Sequence, residues 1–308
     1  MIDTHAHLDF PEFDQDREEV ISRFFENGGR AIVNIGVDLE RSRKSIEIAE
    51  GHEGIFASVG LHPDFFSKGD WGDRGDWVSD LKKMARHKKV VAIGETGLDY
   101  YRIGPPPLAR LDYAKRARQA CLSGEAGESG EIGKIRERQK EGFLAQIEIA
   151  KELGLPVIVH CREAWKDLYE IISGFSQSSA FPFRERSSRN SSKPSFSRFV
   201  LHCYSGEKKD TEKFLELPNV FFSFSGNITY PKPVERAEEL VEAVRMIPLE
   251  RMMLDSDAPF LAPQVFRGKR NEPAYVKHIA QKIAEIKGIS VEEIERVTDE
   301  NAAQFFGI

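Results

Sequence analysis

The chain has 308 residues, 40% of them hydrophobic and 31% charged, a balance that lets a globular protein bury a large core. Its formal net charge is −6 and its pI about 5.9, which excludes a uniformly basic, nucleic-acid-coating surface but leaves room for a local basic patch. No apolar run is long enough to span a bilayer, and residues 1–5 lack the charged and apolar regions of a signal peptide. The three scattered cysteines, Cys121, Cys161 and Cys203, suit a reducing compartment, so a cytoplasmic location is expected and a membrane role is not.

Taken in chain order, short β-branched runs alternate with helical patterns. Strands are expected at residues 2–8, 30–37, 55–61, 90–95, 156–160, 198–203, 220–225 and 251–255. Helices are expected between them at 14–27, 39–50, 76–87, 139–153, 163–172, 208–217 and 234–246, with a helical stretch from Glu272 onward. Ser290-Val291-Glu292-Glu293 reads as a capping box opening its last part. Strand–helix alternation implies parallel strands joined by crossover helices, and eight such units imply a (β/α)8 TIM barrel, an α/β fold whose active site lies at the C-terminal ends of the strands. The expected organisation is one domain over residues 1–308, interrupted by two inserts.

The first insert, about 103–137, begins with Pro105-Pro106-Pro107 and carries a Gly/Glu/Ser-rich stretch. It follows strand four, so it leaves the catalytic face, as a surface excursion or as an arm over the substrate. The second, about 173–197, is Ser-rich with Arg184, Arg186, Arg189 and Lys193. It precedes a strand, so it hangs from the opposite face as a solvated loop.

Strand ends carry the chemistry. His5 and His7 stand two apart, which places both imidazoles on one face of the first strand, the barrel interior. Glu95 ends strand four, His160 strand five and His202 strand six, and Asp257 follows strand eight. Read singly, each has a structural explanation: Asp257 as a turn cap before Pro259, Glu95 as the partner of a buried arginine, the histidines as satisfied core residues. Together on one rim they describe a metal site. Four imidazoles and two carboxylates exceed what one tetrahedral zinc takes, and suffice for two divalent ions if a carboxylate bridges. Glu95 is the natural bridge. Such a site activates a water and clamps the attacking and leaving oxygens of an in-line displacement, and Asp257 is suited both to bind metal and to take the proton of that water. Magnesium, manganese and zinc all suit mixed imidazole and carboxylate ligands.

The motifs Asp3-Thr4-His5-Ala6-His7-Leu8, Gly60-Leu61-His62-Pro63, Gly94-Glu95-Thr96-Gly97-Leu98-Asp99-Tyr100, Pro156-Val157-Ile158-Val159-His160-Cys161-Arg162, His202-Cys203-Tyr204-Ser205-Gly206 and Asp255-Ser256-Asp257-Ala258-Pro259 resemble the TatD family of metal-dependent deoxyribonucleases. So does Arg267-Gly268-Lys269-Arg270-Asn271-Glu272-Pro273. The resemblance covers nearly the whole chain apart from the inserts. It implies a barrel of the amidohydrolase kind, with one metal on His5, His7, Glu95 and Asp257 and a second on Glu95, His160 and His202. It also implies phosphodiester hydrolysis, typically as a 3′–5′ exonuclease on DNA, with His62 and Arg162 near the scissile phosphate. An arginine suits that place because its planar fork binds phosphate bidentately. This chain has Asp255-Ser256-Asp257 where the family often has Glu-Thr-Asp, which keeps the Asp257 ligand but shortens the carboxylate at 255.

Arg267, Lys269 and Arg270 put three cations into five residues past strand eight, either as a nucleic-acid backbone contact or as a solvated charge run. The alternative activity is hydrolysis of amide or ester bonds on the same metals, as by the D-aminoacyl-tRNA deacylases among the family's relatives. Glu95 in place of a lysine at the end of strand four favours the nuclease-like subgroup. A vestigial barrel acting only as a scaffold would have no use for the full ligand set.

Overall fold

The computed structural model describes residues 1–67, 75–101, 103, 130–176 and 197–308. Eight strands form one sheet in sequence order, and every neighbouring pair is parallel. They are β1 (Ile2–Ala6), β2 (Ala31–Ile35), β3 (Ile55–Val59), β4 (Val90–Asp99), β5 (Val157–Arg162), β6 (Phe199–Leu201), β7 (Val220–Phe224) and β8 (Met252–Leu254). The ring closes at the rim, where Ala6 bridges to Ala258, the Asp257 N–H donates to the His5 carbonyl at 2.9 Å, and the His7 N–H donates to the Ala258 carbonyl at 2.7 Å.

The crossovers are α1 (Arg17–Glu26), α2 (Leu39–Gly51), α3 (Pro63–Ser67) with α4 (Trp77–Ala85), α5 (Glu131–Leu153), α6 (Trp165–Ser173), α7 (Lys208–Leu215) and α8 (Val234–Met246); α9 (Val276–Lys287) and α10 (Val291–Phe306) complete the chain. Several begin on side chains that satisfy the orphan N–H groups of a first turn. Asp38 accepts from Arg41, Asp76 from Ser79, and Ser290 from Glu293, the Ser290 half of the expected capping box.

Inside the barrel the side chains lie in layers. Val33, Val91, Ile158, Val200, Phe221 and Met253 form an apolar floor, all nearly inaccessible, closed from below by Phe305 and Phe306 of α10. Two residues further along the strands the lining turns polar: Ile158 gives way to His160, Val200 to His202, Phe221 to Ser223 and Met253 to Asp255. An apolar floor under a polar lid is what confines chemistry to one end of this fold.

Most observed elements end within a few residues of the sequence expectation, and two boundaries differ most. Strand four does not stop at Glu95; β4 runs on to Asp99, and Glu95 sits within it, where the pairing with β5 slips between Ile93 and Thr96. Helix α5 begins at Glu131 rather than 139, so the end of the first insert is helical. The remainder of that insert, 104–129, and most of the second, 177–196, lie outside the described residues.

Candidate metal centre

β4 can run past Glu95 because of its glycines. A Cβ on Gly97 would stand 2.0 Å from the His160 carbonyl oxygen, and Gly97 has φ +142°, a conformation closed to ordinary side chains. The slip turns the Glu95 N–H to the carbonyl of Gly36, at 2.9 Å, and leaves the Glu95 carboxylate, 5% exposed, aimed into the barrel mouth. Its two oxygens face different groups. Oε1 lies 2.8 Å from His160 Nδ1 and 2.9 Å from His202 Nε2. Oε2 lies 3.5 Å from His5 Nε2 and 3.9 Å from His7 Nε2. Asp257 Oδ1 completes the second group, 3.6 Å from His7 Nε2 and 3.9 Å from His5 Nε2. His62, reached from the loop after β3, brings Nε2 to 3.8 Å from Glu95 Oε1.

All six residues expected as ligands, and His62, are thus brought to one rim. Ligand-type atoms of His5, His7 and Asp257, of His5, Glu95 and His202, and of His62, Glu95 and His160 lie close enough to share a cation. The donor set itself tests that fit. His5 and His7 face each other Nε2 to Nε2 at 3.3 Å, and His160 Nδ1 faces His202 Nε2 at 3.4 Å. Ring nitrogens converging on each other and on carboxylate oxygens in a buried site are poorly matched to one another and well matched to a divalent cation.

Charge balance points the same way. Burial pushes the His5 imidazole down to about 3, with His202 adding to the effect, so the ring is neutral and able to ligate a cation. Burial opposes ionisation of Glu95, but His202, His160 and His5 overcome it and hold the carboxyl well below its usual range. Burial likewise disfavours charge on His160, yet its hydrogen bonds with Asp99 and Glu95 raise it to about 9. A buried anion compensated by protons on surrounding imidazoles marks where a metal cation would sit, since metal and proton compete for the same nitrogens.

Around the candidate ligands stands a set of supports. Asp99, fully buried, meets His160 Nε2 at 3.2 Å. Asp255 accepts from Ser223 Oγ, Ser225 Oγ and the Cys203 N–H, so the shortened carboxylate ties the ends of β6, β7 and β8 together. Asp3 accepts from Ser256 N–H at 2.9 Å and Ser256 Oγ at 2.6 Å; burial lifts its carboxyl to about 8 despite those bonds. Asp99 is the support that sequence reading missed. Its signal was the spacing from Glu95, four residues apart and so on one side of a continuing strand.

The basic residues divide. Arg162, at the end of β5, is exposed and stacks 3.6 Å over the Tyr101 ring. Arg267 is exposed and stacks 3.8 Å over Tyr230, and Lys269 is exposed beside it. Arg270 differs from both. Its guanidinium meets Asp16 at 2.7 and 2.6 Å and Glu272 at 3.3 Å, and it covers the Phe13 ring, which makes it a tie between this loop and α1.

With this geometry in place, comparison with known proteins is decisive. The family model for TatD related DNase matches residues 2–307. The chain belongs to the TatD family. It is 33% identical to the metal-dependent hydrolase YabD of Bacillus subtilis, over 100% of this chain and 99% of that protein. It is 30% identical to the 3′-5′ ssDNA/RNA exonuclease TatD of Pantoea ananatis, over the full length of both. Among solved structures, YJJV, a TatD homolog from Escherichia coli K12, superposes with a TM-score of 0.75 at 25% identity, covering 100% of this chain and 98% of its own. The protein is a TatD-family metal-dependent hydrolase on a TIM barrel. No described helix is long and apolar enough to cross a membrane.

Proposed function

We propose that this TatD-family hydrolase is a two-metal nuclease that removes nucleotides from the 3′ end of single-stranded nucleic acid, DNA foremost. The observation that carries this reading is the divided Glu95 carboxylate, Oε2 toward His5 and His7 and Oε1 toward His160 and His202. His5, His7, Glu95 and Asp257 would hold one ion and Glu95, His160 and His202 the other, with magnesium, manganese and zinc as candidates. When bound, such a pair supplies an activated water and neutralises charge on the attacking and leaving oxygens of an in-line displacement.

The chain's own groups supply the rest. The Asp257 side chain is 14% exposed, against 5% for Glu95, so it is the ligand carboxylate best placed to take a proton from the attacking water. His62 Nδ1 accepts the Asp64 N–H at 3.2 Å, which puts the proton of a neutral imidazole on Nε2, where it can donate to a phosphate oxygen. Arg162 and Arg267, exposed and lying over Tyr101 and Tyr230, are the cations best placed to meet phosphate oxygens. Lys269 adds a mobile charge of the same sign. Arg270 braces the loop instead.

The test is a panel of metal-loaded protein against end-labelled single-stranded DNA, single-stranded RNA, duplex DNA and D-aminoacyl-tRNA, with His160→Ala as control. Stepwise shortening from the 3′ end, lost in His160→Ala, is expected. Failure to cut any nucleic acid with any of the metals, or deacylation in its place, overturns the reading.

A further inference from the structure

Beside the imidazole of His7 stands an aromatic pair that the hydrolytic groups do not use. The Phe10 ring lies 4.7 Å from that of His7 and the Phe260 ring 6.0 Å, and the two phenyl rings meet edge to face at 5.7 Å. Phe260 is 46% exposed, the one aromatic among the large hydrophobic residues left exposed in the described structure. A single exposed phenyl group is ordinary on a protein surface. The backbone of this one is held at both its N–H and its carbonyl. Its N–H donates to the Asp257 carbonyl at 2.8 Å, and its own carbonyl accepts from the buried Asn271 amide at 2.6 Å. Phe10 in turn lies 4.2 Å beneath the guanidinium of Arg41, which is paired with the buried Asp9 at 3.1 Å. The fold therefore fixes the backbone that carries an exposed phenyl ring three residues after a metal-ligand candidate and leaves part of its surface wet.

We propose that Phe260, backed by Phe10, is a stacking platform for the nucleobase flanking the scissile phosphate, and that it selects for strands whose bases are free. This rests on the nuclease reading of the same site. Every base presents a π face, so an aromatic platform binds without regard to sequence, but only when the base has left its own stack. The 6.0 Å separation from His7 puts the platform within one nucleotide of a phosphate at the metal centre. A duplex end would have to fray before its terminal base could reach the ring.

The experiment compares F260A, F260W and the wild type on two single strands, one intact and one with abasic sugars in place of the two nucleotides flanking the scissile bond. Stacking is worth about tenfold to a hundredfold per base, so the wild type should favour the intact strand by that factor in kcat/KM. F260A should lose that preference by slowing on the intact strand alone, and F260W should keep it. Equal losses on both strands in F260A, or no loss on either, overturn the platform. A second readout needs no turnover: with chelator present, F260W fluorescence should be quenched by an oligothymidylate beyond the quenching seen in the wild type. If the wild type cuts neither strand but F260W is quenched, the nuclease reading fails and the platform stands as a nucleic-acid contact. Absence of that extra quenching overturns the platform whatever the enzyme cuts.

Discussion

Asp99 and Glu95 grip the same imidazole from the same strand: Glu95 Oε1 meets His160 Nδ1 at 2.8 Å, and Asp99 Oδ2 meets His160 Nε2 at 3.2 Å. In the proposed centre, one carboxylate would ligate metal and the other would orient the ring that serves it. Removing such an outer carboxylate usually costs 10–100-fold in metal affinity, so Asp99→Ala should weaken metal binding by about that factor while the fold remains. In metal-free protein the same substitution should lower the His160 pKa from its raised position near 9, because burial, which opposes the charge, would lose one of its two counterweights. Calorimetric metal titration and NMR titration of the imidazole read the two effects; an unchanged affinity and an unchanged pKa would show that Asp99 is a bystander.

Arg267 and Arg270 should separate cleanly. Arg267→Ala is expected to weaken single-strand binding and to reduce the slope of log K against log salt by about 1, the signature of one lost phosphate contact. Arg270→Ala should leave that slope alone and cost about 1 kcal/mol of stability, because its main partner, Asp16, is 36% exposed even though Glu272 is largely buried. Binding isotherms at several salt concentrations distinguish the two, and a reversed assignment would refute the division drawn between them.

Asp255→Ala should destabilise the barrel by about 2–4 kcal/mol, since Ser223 Oγ, Ser225 Oγ and the Cys203 N–H all lose a buried acceptor. Denaturant titration measures the loss. A change below about 0.5 kcal/mol, the range of ordinary surface substitutions, would mean that β6, β7 and β8 do not depend on this carboxylate.

Much of the fold and rim was legible in the sequence, because a parallel barrel writes each strand as a short β-branched run and its rim as the residues that follow. His160 after Val157-Ile158-Val159 and His202 after Phe199-Val200-Leu201 are read directly from that rule. Glu95 was placed on the rim for a partly mistaken reason. The glycines flanking it look like the end of a strand, whereas Gly97 is what lets β4 continue past β5 without a collision. The early start of α5 was hidden because Glu131, Gly133 and Lys134 carry no apolar stripe. Arg270 looked like part of a phosphate-binding loop because the sequence does not display Asp16, some 250 residues away, beside it.

Withdrawing metal should loosen the protein as well as silence it. The candidate ligands converge in a buried or half-buried pocket, so metal at about 100 times its dissociation constant should add about 2.7 kcal/mol of stability. Chelator should lower the thermal midpoint and re-addition restore it; a midpoint indifferent to metal would contradict the ligand assignment.

The central claim is that Glu95 joins two metal sites, and metal stoichiometry tests it most directly. Wild-type protein equilibrated with manganese or zinc should retain two ions per chain by elemental analysis, His202→Ala should retain one, and Glu95→Ala should retain fewer than either single-site loss allows. One ion per chain in the wild type, or two still held by Glu95→Ala, would contradict it.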